Sequence, residues 1–276
     1  MSNFVTPPKT LLRDAAPVHG FGLLYAQRTA RAWWYGAWLR TLARFSRTYF
    51  GSFWLGLSNL LSVGLLATVY GAVLKVPNPY DYAIYLGLGL TIWGFISLSV
   101  ISGCSLFIAR RDQLINNSLP AIFYCLEEWA FQLQTFAQAF AIILIAFAFI
   151  QPSILLHSAS SMWLPLLNLG LFCFWIVAAL GVIGARFRDV EQLMPILLQL
   201  MFLLSPILYH RQGLGRIGLL ADFNPFYRVL EPLRTAIIYG RVNFLSEVIT
   251  LVLNIALISL VGLWLKRLRY RLPLWV

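Results

Sequence analysis

The stretch WAFQLQTFAQAFAIILIAFAFIQPSILLHSASSMWLPLLNLGLFCFWIVAALGVIGA, Trp129 to Ala185, runs for 57 residues without an Asp, Glu, Lys or Arg. A helix rises about 1.5 Å per residue, so crossing roughly 30 Å of hydrocarbon takes about 20 residues. The stretch is far too long for one crossing, and QPSILLHSASS, Gln151 to Ser161, supplies the turn between two. The rest of the chain agrees: 60% of its 276 residues are hydrophobic and 11% are charged, where a soluble domain carries about a quarter. This is the composition of an integral membrane protein.

Working outward, charge-free windows at Thr48 to Leu74 and Tyr82 to Ala109 give the first and second spans, and the long stretch gives the third and fourth. Leu193 to Tyr209 gives a short fifth and Val248 to Leu265 a sixth. The expected fold is all-α and polytopic, with six transmembrane helices. Residues 1–50 form a cytoplasmic amino-terminal segment, 51–265 the membrane domain and 266–276 a basic cytoplasmic tail. The first fifty residues lack the basic start, apolar core and small-residue cleavage site of a signal peptide, so the amino terminus is expected to be retained and cytoplasmic.

Orientation follows from the enrichment of Lys and Arg on cytoplasmic flanks. Six crossings with both termini inside place 15 of the 21 Lys and Arg residues on the cytoplasmic side; five crossings would place 16 there. The tail decides for six, because Lys266, Arg267, Arg269 and Arg271 follow a span directly and without acidic neighbours. Arg211, Arg216, Arg228, Arg234 and Arg241 are instead interleaved with Asp222 and Glu231. Ahead of the first span, Trp34, Trp38, Leu42, Phe45 and Tyr49 recur at helical spacing opposite Arg40, Arg44 and Arg47. That pattern predicts an amphipathic helix in the headgroup plane.

Several motifs carry no chemistry. Gly213, Gly215 and Gly218 match a dinucleotide fingerprint with no βαβ unit around them. Asn116-Asn117-Ser118 matches a glycosylation acceptor on the expected cytoplasmic side. Cys104, Cys125 and Cys173 have neither metal-ligand nor disulfide spacing and read as buried small hydrophobes. His19, His157 and His210 are isolated from one another, and neither a metal site nor a cofactor is expected. The chain contains no phosphate loop, zinc-protease motif or nucleophile elbow, so no catalytic residue is expected. The span centres are uncharged, whereas ion-coupled transporters place ionisable groups there. Energy must come from elsewhere. Glu127 and Glu128, at the cytoplasmic entrance of the third span, are expected to meet solvated headgroups.

Three polar features remain. ARRDQLINNSLPAIF, Ala109 to Phe123, links the second and third spans. Its Leu114, Ile115, Leu119, Ile122 and Phe123 look exposed and suit either headgroups or a groove on a cytoplasmic partner. RFRDVEQLMPILLQLMFLLSPILYH, Arg186 to His210, is a short span with Pro195 and Pro206 inside it and Arg186, Arg188, Asp189 and Glu191 at its foot. Pro206 frees backbone carbonyls that need a wet or protein-lined place, which makes this span a candidate gating element facing a pathway. From Arg211 to Asn243 the chain is extracytoplasmic. Asn224-Pro225 opens a helix there with an apolar stripe at Phe226, Leu230, Leu233 and Ile237, and Pro232 is expected to kink or restart it. This segment is expected to lie at or dip into the outer leaflet, as re-entrant helices between the fifth and sixth spans. Its arginines suit phosphate, acidic sugars or lipid headgroups.

In order and spacing, RTYFGSFWLG after an amphipathic helix, RFRD followed by SPILY, and NPF with Arg234 ten residues beyond Asn224 resemble the membrane subunits of ABC-2 type exporters. The likeness is to the permeases that export lipid-linked O-antigen, capsular polysaccharide or teichoic acid, and it runs from about Tyr35 to the carboxyl end. It implies a homodimer in the bacterial cytoplasmic (inner) membrane, bound to two ABC ATPase subunits, to lipid-linked glycan and to membrane lipids, with no nucleic acid. Arg110, Arg111, Asp112, Asn116, Leu119 and Pro120 would belong to a coupling helix seated on the ATPase. Arg186, Arg188, Asp189 and Pro206 would serve gating, and Asn224, Pro225 and Arg234 the re-entrant segment. Family channels are lined partly by aromatic residues, which nominates Phe53, Trp54, Tyr85 and Trp93 for the translocation path. An exporter of a small drug or lipid, or a membrane-embedded glycosyl or lipid transferase, remains open as an alternative.

Overall fold

The computed structural model describes residues 23–46, 49, 51, 53–116, 119–209, 211, 221 and 223–276. The described residues are helical, with no strand among them. In chain order the helices are α1 (Leu23–Arg28), α2 (Ala30–Phe45), α3 (Phe53–Val73), α4 (Pro79–Ala109), α5 (Arg111–Asn116) and α6 (Ala121–Ile150). They continue as α7 (Ser153–Ser161), α8 (Trp163–Arg186), α9 (Asp189–Leu204), α10 (Pro225–Tyr239), α11 (Phe244–Leu268) and α12 (Leu272–Trp275).

Five of these, α3, α4, α6, α8 and α11, are long and apolar enough to cross a membrane, at 21, 31, 30, 24 and 25 residues. The expected fifth span is different. Helix α9 has 16 residues, about 24 Å at the helical rise, and it stops at Leu204 although the apolar stretch continues to Tyr209. Proline disfavours helical backbone in the residue before it, and Ser205, which precedes Pro206, is extended at φ −84°, ψ 132°. Pro195, in contrast, lies inside α9 without ending it.

Local chemistry sets the ends of the elements. Asn78 caps α4 by accepting from the Tyr80 N–H at 3.1 Å and donating to Asp81 at 2.8 Å, with Pro79 at the first helical position. Asn224 caps α10 in the same way, accepting from the Phe226 N–H at 3.0 Å with Pro225 next. The expected start of that helix is therefore correct. Of the expected kink or restart at Pro232, the restart does not occur: α10 continues through it to Tyr239 and ends at Gly240 in the left-handed conformation, φ 65°. At the foot of α9, Asp189 and Glu191 occupy the first turn, where the helix dipole favours negative charge.

Helix α4 is the centre of the bundle. It packs against α3, α6, α8, α9 and α10, and Leu86, Leu88 and Ile92 on it are fully buried. It meets α8 backbone to backbone where both helices carry glycine. A Cβ on Gly184 would collide with the Cys104 carbonyl, and one on Gly103 would stand 3.0 Å from the Val177 Cα. Small residues of this kind let membrane helices pack backbone to backbone. Helix α11 is tied to α8 by polar contacts instead. Asn168 Nδ2 donates to Glu247 Oε2 at 2.6 Å, and Trp175 Nε1 donates to Asn254 Oδ1 at 3.0 Å. All three cysteines are buried and free, as expected.

Helix α2 has the expected exposed stripe, with Trp34, Trp38 and Leu42 open. It lies against α6 through Ala37 and Thr41, and Gln134 Nε2 donates to the Trp34 carbonyl at 3.1 Å. Arg47, expected opposite the stripe, lies outside the described residues. The basic tail is not simply a solvated end. Helix α11 runs past residue 265 to Leu268, and beyond it Leu272 and Val276 fold back into a buried cluster with Leu114 and Phe123.

Candidate functional sites at the two ends of the bundle

The first site closes the end of the bundle where α4 gives way to α5. Arg110, the residue after α4, directs its guanidinium to Glu127 on α6, with Nη2 to Oε1 at 2.8 Å and Nη1 to Oε2 at 3.2 Å. Its Nη1 also donates to Gln113 at 2.8 Å. Arg40 of α2 reaches the neighbouring carboxylate, with Nη1 to Glu128 Oε2 at 2.8 Å, and its guanidinium stacks 4.3 Å from the Phe131 ring centroid. Gln132 completes the group by donating to Glu128 Oε1 at 3.0 Å. The expectation that Glu127 and Glu128 meet solvated headgroups is therefore corrected. Both are buried, and each is paired with arginine, Arg40 being shared because its Nη1 also stands 3.7 Å from Glu127 Oε1; a carboxylate at the entrance of a span needs a counter-charge.

The apolar residues of the link also turn inward. Leu114 and Phe123 are buried, and Leu119 and Ile122 pack against the same cluster. This overturns the reading of them as exposed. They hold α5 under the bundle, helped by a hydrogen bond from the Tyr124 hydroxyl to the Gln113 carbonyl at 3.0 Å. Among the described residues of the link the exposed ones are Ala109, Arg111, Asp112, Gln113, Ile115 and Asn116, with Leu119 and Pro120 half-buried beside them.

The second site lies at the broken end of α9. Arg234 is 1% exposed, and a buried guanidinium needs anionic and acceptor partners around it. It donates from Nη1 to the Pro206 carbonyl at 3.0 Å, pairs with Glu231 through Nη2, and stands 3.7 Å over the Tyr85 ring centroid. The Tyr85 hydroxyl donates to the Pro206 carbonyl at 2.8 Å and the Tyr209 carbonyl at 3.2 Å, and the Tyr82 hydroxyl donates to the Leu208 carbonyl at 2.6 Å. Asn224 Nδ2 donates to Ser205 Oγ at 2.8 Å. Carbonyls 206, 208 and 209, at the break that Pro206 makes, are met by protein side chains. The expected protein-lined place exists, and these contacts give no ground for a wet pathway beside the break.

Three residues singled out for separate reasons, Tyr85, Pro206 and Arg234, thus form one cluster, and Asn224 borders it. The four aromatic path candidates do not share a surface within the chain. Tyr85 and Trp93 are buried, Trp93 among Phe202 and Phe226 at 5.6 and 5.8 Å between centroids, whereas Phe53 and Trp54 are exposed on α3. At the foot of α9, Arg186 lies 5.2 Å over Trp275 of α12, while Arg188 and Asp189 are exposed. Among the described residues, no group of His, Cys, Asp and Glu could hold a metal ion.

Comparison with known proteins bears on what these two sites serve. The model of the ABC-2 type transporter family matches residues 36–238, which includes both sites. Two O-antigen export system permease proteins of Klebsiella pneumoniae, each named RfbA, are 24% identical to this chain over 233 residues, covering 83% of it and 88% of their own length.

Proposed function

Because the chain belongs to the ABC-2 type transporter family, as a membrane subunit for transport rather than an enzyme, we propose that it exports a lipid-linked polysaccharide across the bacterial cytoplasmic membrane. The observation that carries this reading is the similarity, along most of both chains, to the O-antigen export permeases. The transporting unit is a homodimer energised by two separate ATPase subunits, in keeping with a chain that contains no phosphate loop.

In this reading the chain crosses the membrane six times, with both termini cytoplasmic. Helix α9 and the protein-lined break after it make the fifth crossing, and α10 is the re-entrant element at the outer leaflet. Helix α2 lies in the inner headgroup plane with Trp34, Trp38 and Leu42 towards lipid. The exposed edge of α5, with Arg111, Asp112, Ile115 and Asn116, seats the ATPase. Motion of that seat has a stiff route into the bundle. Arg110 fixes the start of α5 to Glu127, and Arg40 fixes α2 to Glu128, so the link, the interfacial helix and α6 share one anchor. At the far end the cluster of Tyr85, Pro206 and Arg234 joins α4 and α10 to the break after α9, where small displacements would change the outer opening. The aromatic side chains of the chain offer faces on which the C–H faces of sugar rings can pack.

The test is co-purification with an ABC ATPase subunit from the same organism, followed by assay of ATP hydrolysis on lipid-linked glycan. A stable complex stimulated by glycan, and not by small drugs or unglycosylated lipid, is the expected result. Stimulation by a small drug or lipid alone would replace the cargo while leaving the machinery.

A further inference from the structure

Helix α12 is only four residues long, Leu272–Trp275, yet it touches both the link α5 and the turn into α9. It packs against α5 and against α8. Leu272 is 1% exposed, and Leu272 and Val276 lie in one buried cluster with Leu114 of α5 and with Val182 and Ala185 of α8. Trp275, half-buried, packs against the same cluster and offers its ring to Arg186, whose guanidinium stands 5.2 Å from the ring centroid. Arg186 is the last residue of α8, and α9 starts at Asp189. Between the two helices the chain turns at Phe187, which is extended at φ −129°, ψ 100°, while Arg188 is already helical at φ −63°, ψ −28°. The same guanidinium lies 5.9 Å from the Phe187 ring centroid, and it forms no salt bridge among the described residues. One cation thus meets a ring of the turn and a ring of the tail.

Packed apolar clusters are dense and nearly incompressible, so they pass on a displacement rather than absorb it. A shift of α5 reaches α12 through the cluster that Leu114 and Leu272 share, and reaches the turn into α9 through Trp275 and Arg186. An arginine over an aromatic face is held by the ring's negative potential and by flat stacking, neither of which an aliphatic side chain supplies. This route is separate from the Arg110–Glu127 anchor, which leads into α6. We propose that α12 positions the foot of α9 against the link, with Leu272 and Trp275 as positioning residues, so that movement of α5 changes the angle at which α9 leaves α8. What moves α5 rests on the reading above, in which the ATPase is seated there; the contacts of α12 do not.

The test has two arms. On the permease alone, a double-mutant cycle of R186Q and W275L on thermal unfolding should be non-additive, because each substitution removes the same contact. On the permease reconstituted with an ABC ATPase subunit from the same organism, glycan delivered per ATP hydrolysed should fall roughly fivefold in W275L, the weight of one cation–π contact in an equilibrium. ATPase binding and basal hydrolysis should stay unchanged. W275F, which keeps a ring face, should restore the ratio, and L274A, at an 83% exposed position of the same helix, should match the wild type throughout. A purely structural role predicts instead that W275L and W275F lose delivery alike. Additive losses in the first arm, or W275F behaving as W275L in the second, would overturn the proposal. Failure of the wild-type permease to bind the ATPase, seen before any variant is made, would overturn the reading of α5 as the seat and with it the coupling role, while the cycle still reports the contact between Arg186 and Trp275.

Discussion

Arg110 and Glu127 hold each other through two contacts, 2.8 and 3.2 Å long, across the link between α4 and α6. Their side chains are only 14% and 10% exposed. Removing one partner of such a pair leaves a nearly buried charge, which costs about 3 kcal/mol. E127Q is therefore expected to lower the unfolding temperature of the purified permease and to speed amide exchange in α5. R110Q/E127Q should recover part of the loss, because neither charge is then stranded. An unchanged exchange rate in residues 111–116 would show that the pair does not hold the link.

At the other end, Arg234 and Glu231 form a pair of which Arg234 is the buried member. R234Q is expected to destabilise by about 3–5 kcal/mol, and Y85F by about 1–3 kcal/mol because the Pro206 carbonyl loses a donor. The two effects should not add, since both residues donate to that carbonyl. A double-mutant cycle on thermal unfolding, with export measured in parallel, checks this. Additive losses would mean that the break after α9 is held by something else.

Packing of α4 on α8 gives a prediction with an internal control. G184A places a methyl group into the Cys104 carbonyl, whereas a Cβ at Gly64 meets nothing within 4 Å. Analytical gel filtration should show little monodisperse protein for G184A and a normal profile for G64A. Equal profiles would contradict the close approach.

Within the link, substitutions should separate fold from partner. Ile115 is 52% exposed, while Leu119 packs against the buried cluster. I115D is expected to leave the permease stable and to weaken ATPase co-purification. L119D should lower stability itself, by about 1–3 kcal/mol for a charge turned into an apolar contact. If I115D keeps the ATPase bound and active, the seat lies elsewhere.

Much of this was readable in the sequence, for reasons that differ by region. Charge-free length identified α3, α4, α6, α8 and α11, because hydrocarbon thickness sets that length. Asn224-Pro225 located the start of α10, because capping chemistry is local. The short α9 was harder: Pro206 marked the break, but sequence alone could not name the donors that cover its carbonyls, since Tyr82, Tyr85 and Arg234 come from distant parts of the chain. The link misled for a related reason. Leu114 and Phe123 look exposed beside Arg110 and Asp112, and the cluster that buries them is assembled from distant parts of the chain, Tyr25, Val182 and, from the tail, Leu272 and Val276 among them. Glu127 and Glu128 did carry a signal, two adjacent carboxylates at the mouth of a 57-residue uncharged stretch. Their partners, Arg40 and Arg110, stand 88 and 17 positions away.

The most direct measurement of the central claim is transport in proteoliposomes that hold the permease with or without its ATPase, given lipid-linked glycan and either ATP or a proton gradient. Glycan should cross only when the ATPase and ATP are both present, and E127Q should slow it. Uphill movement by the permease alone, driven by the proton gradient, would contradict the account.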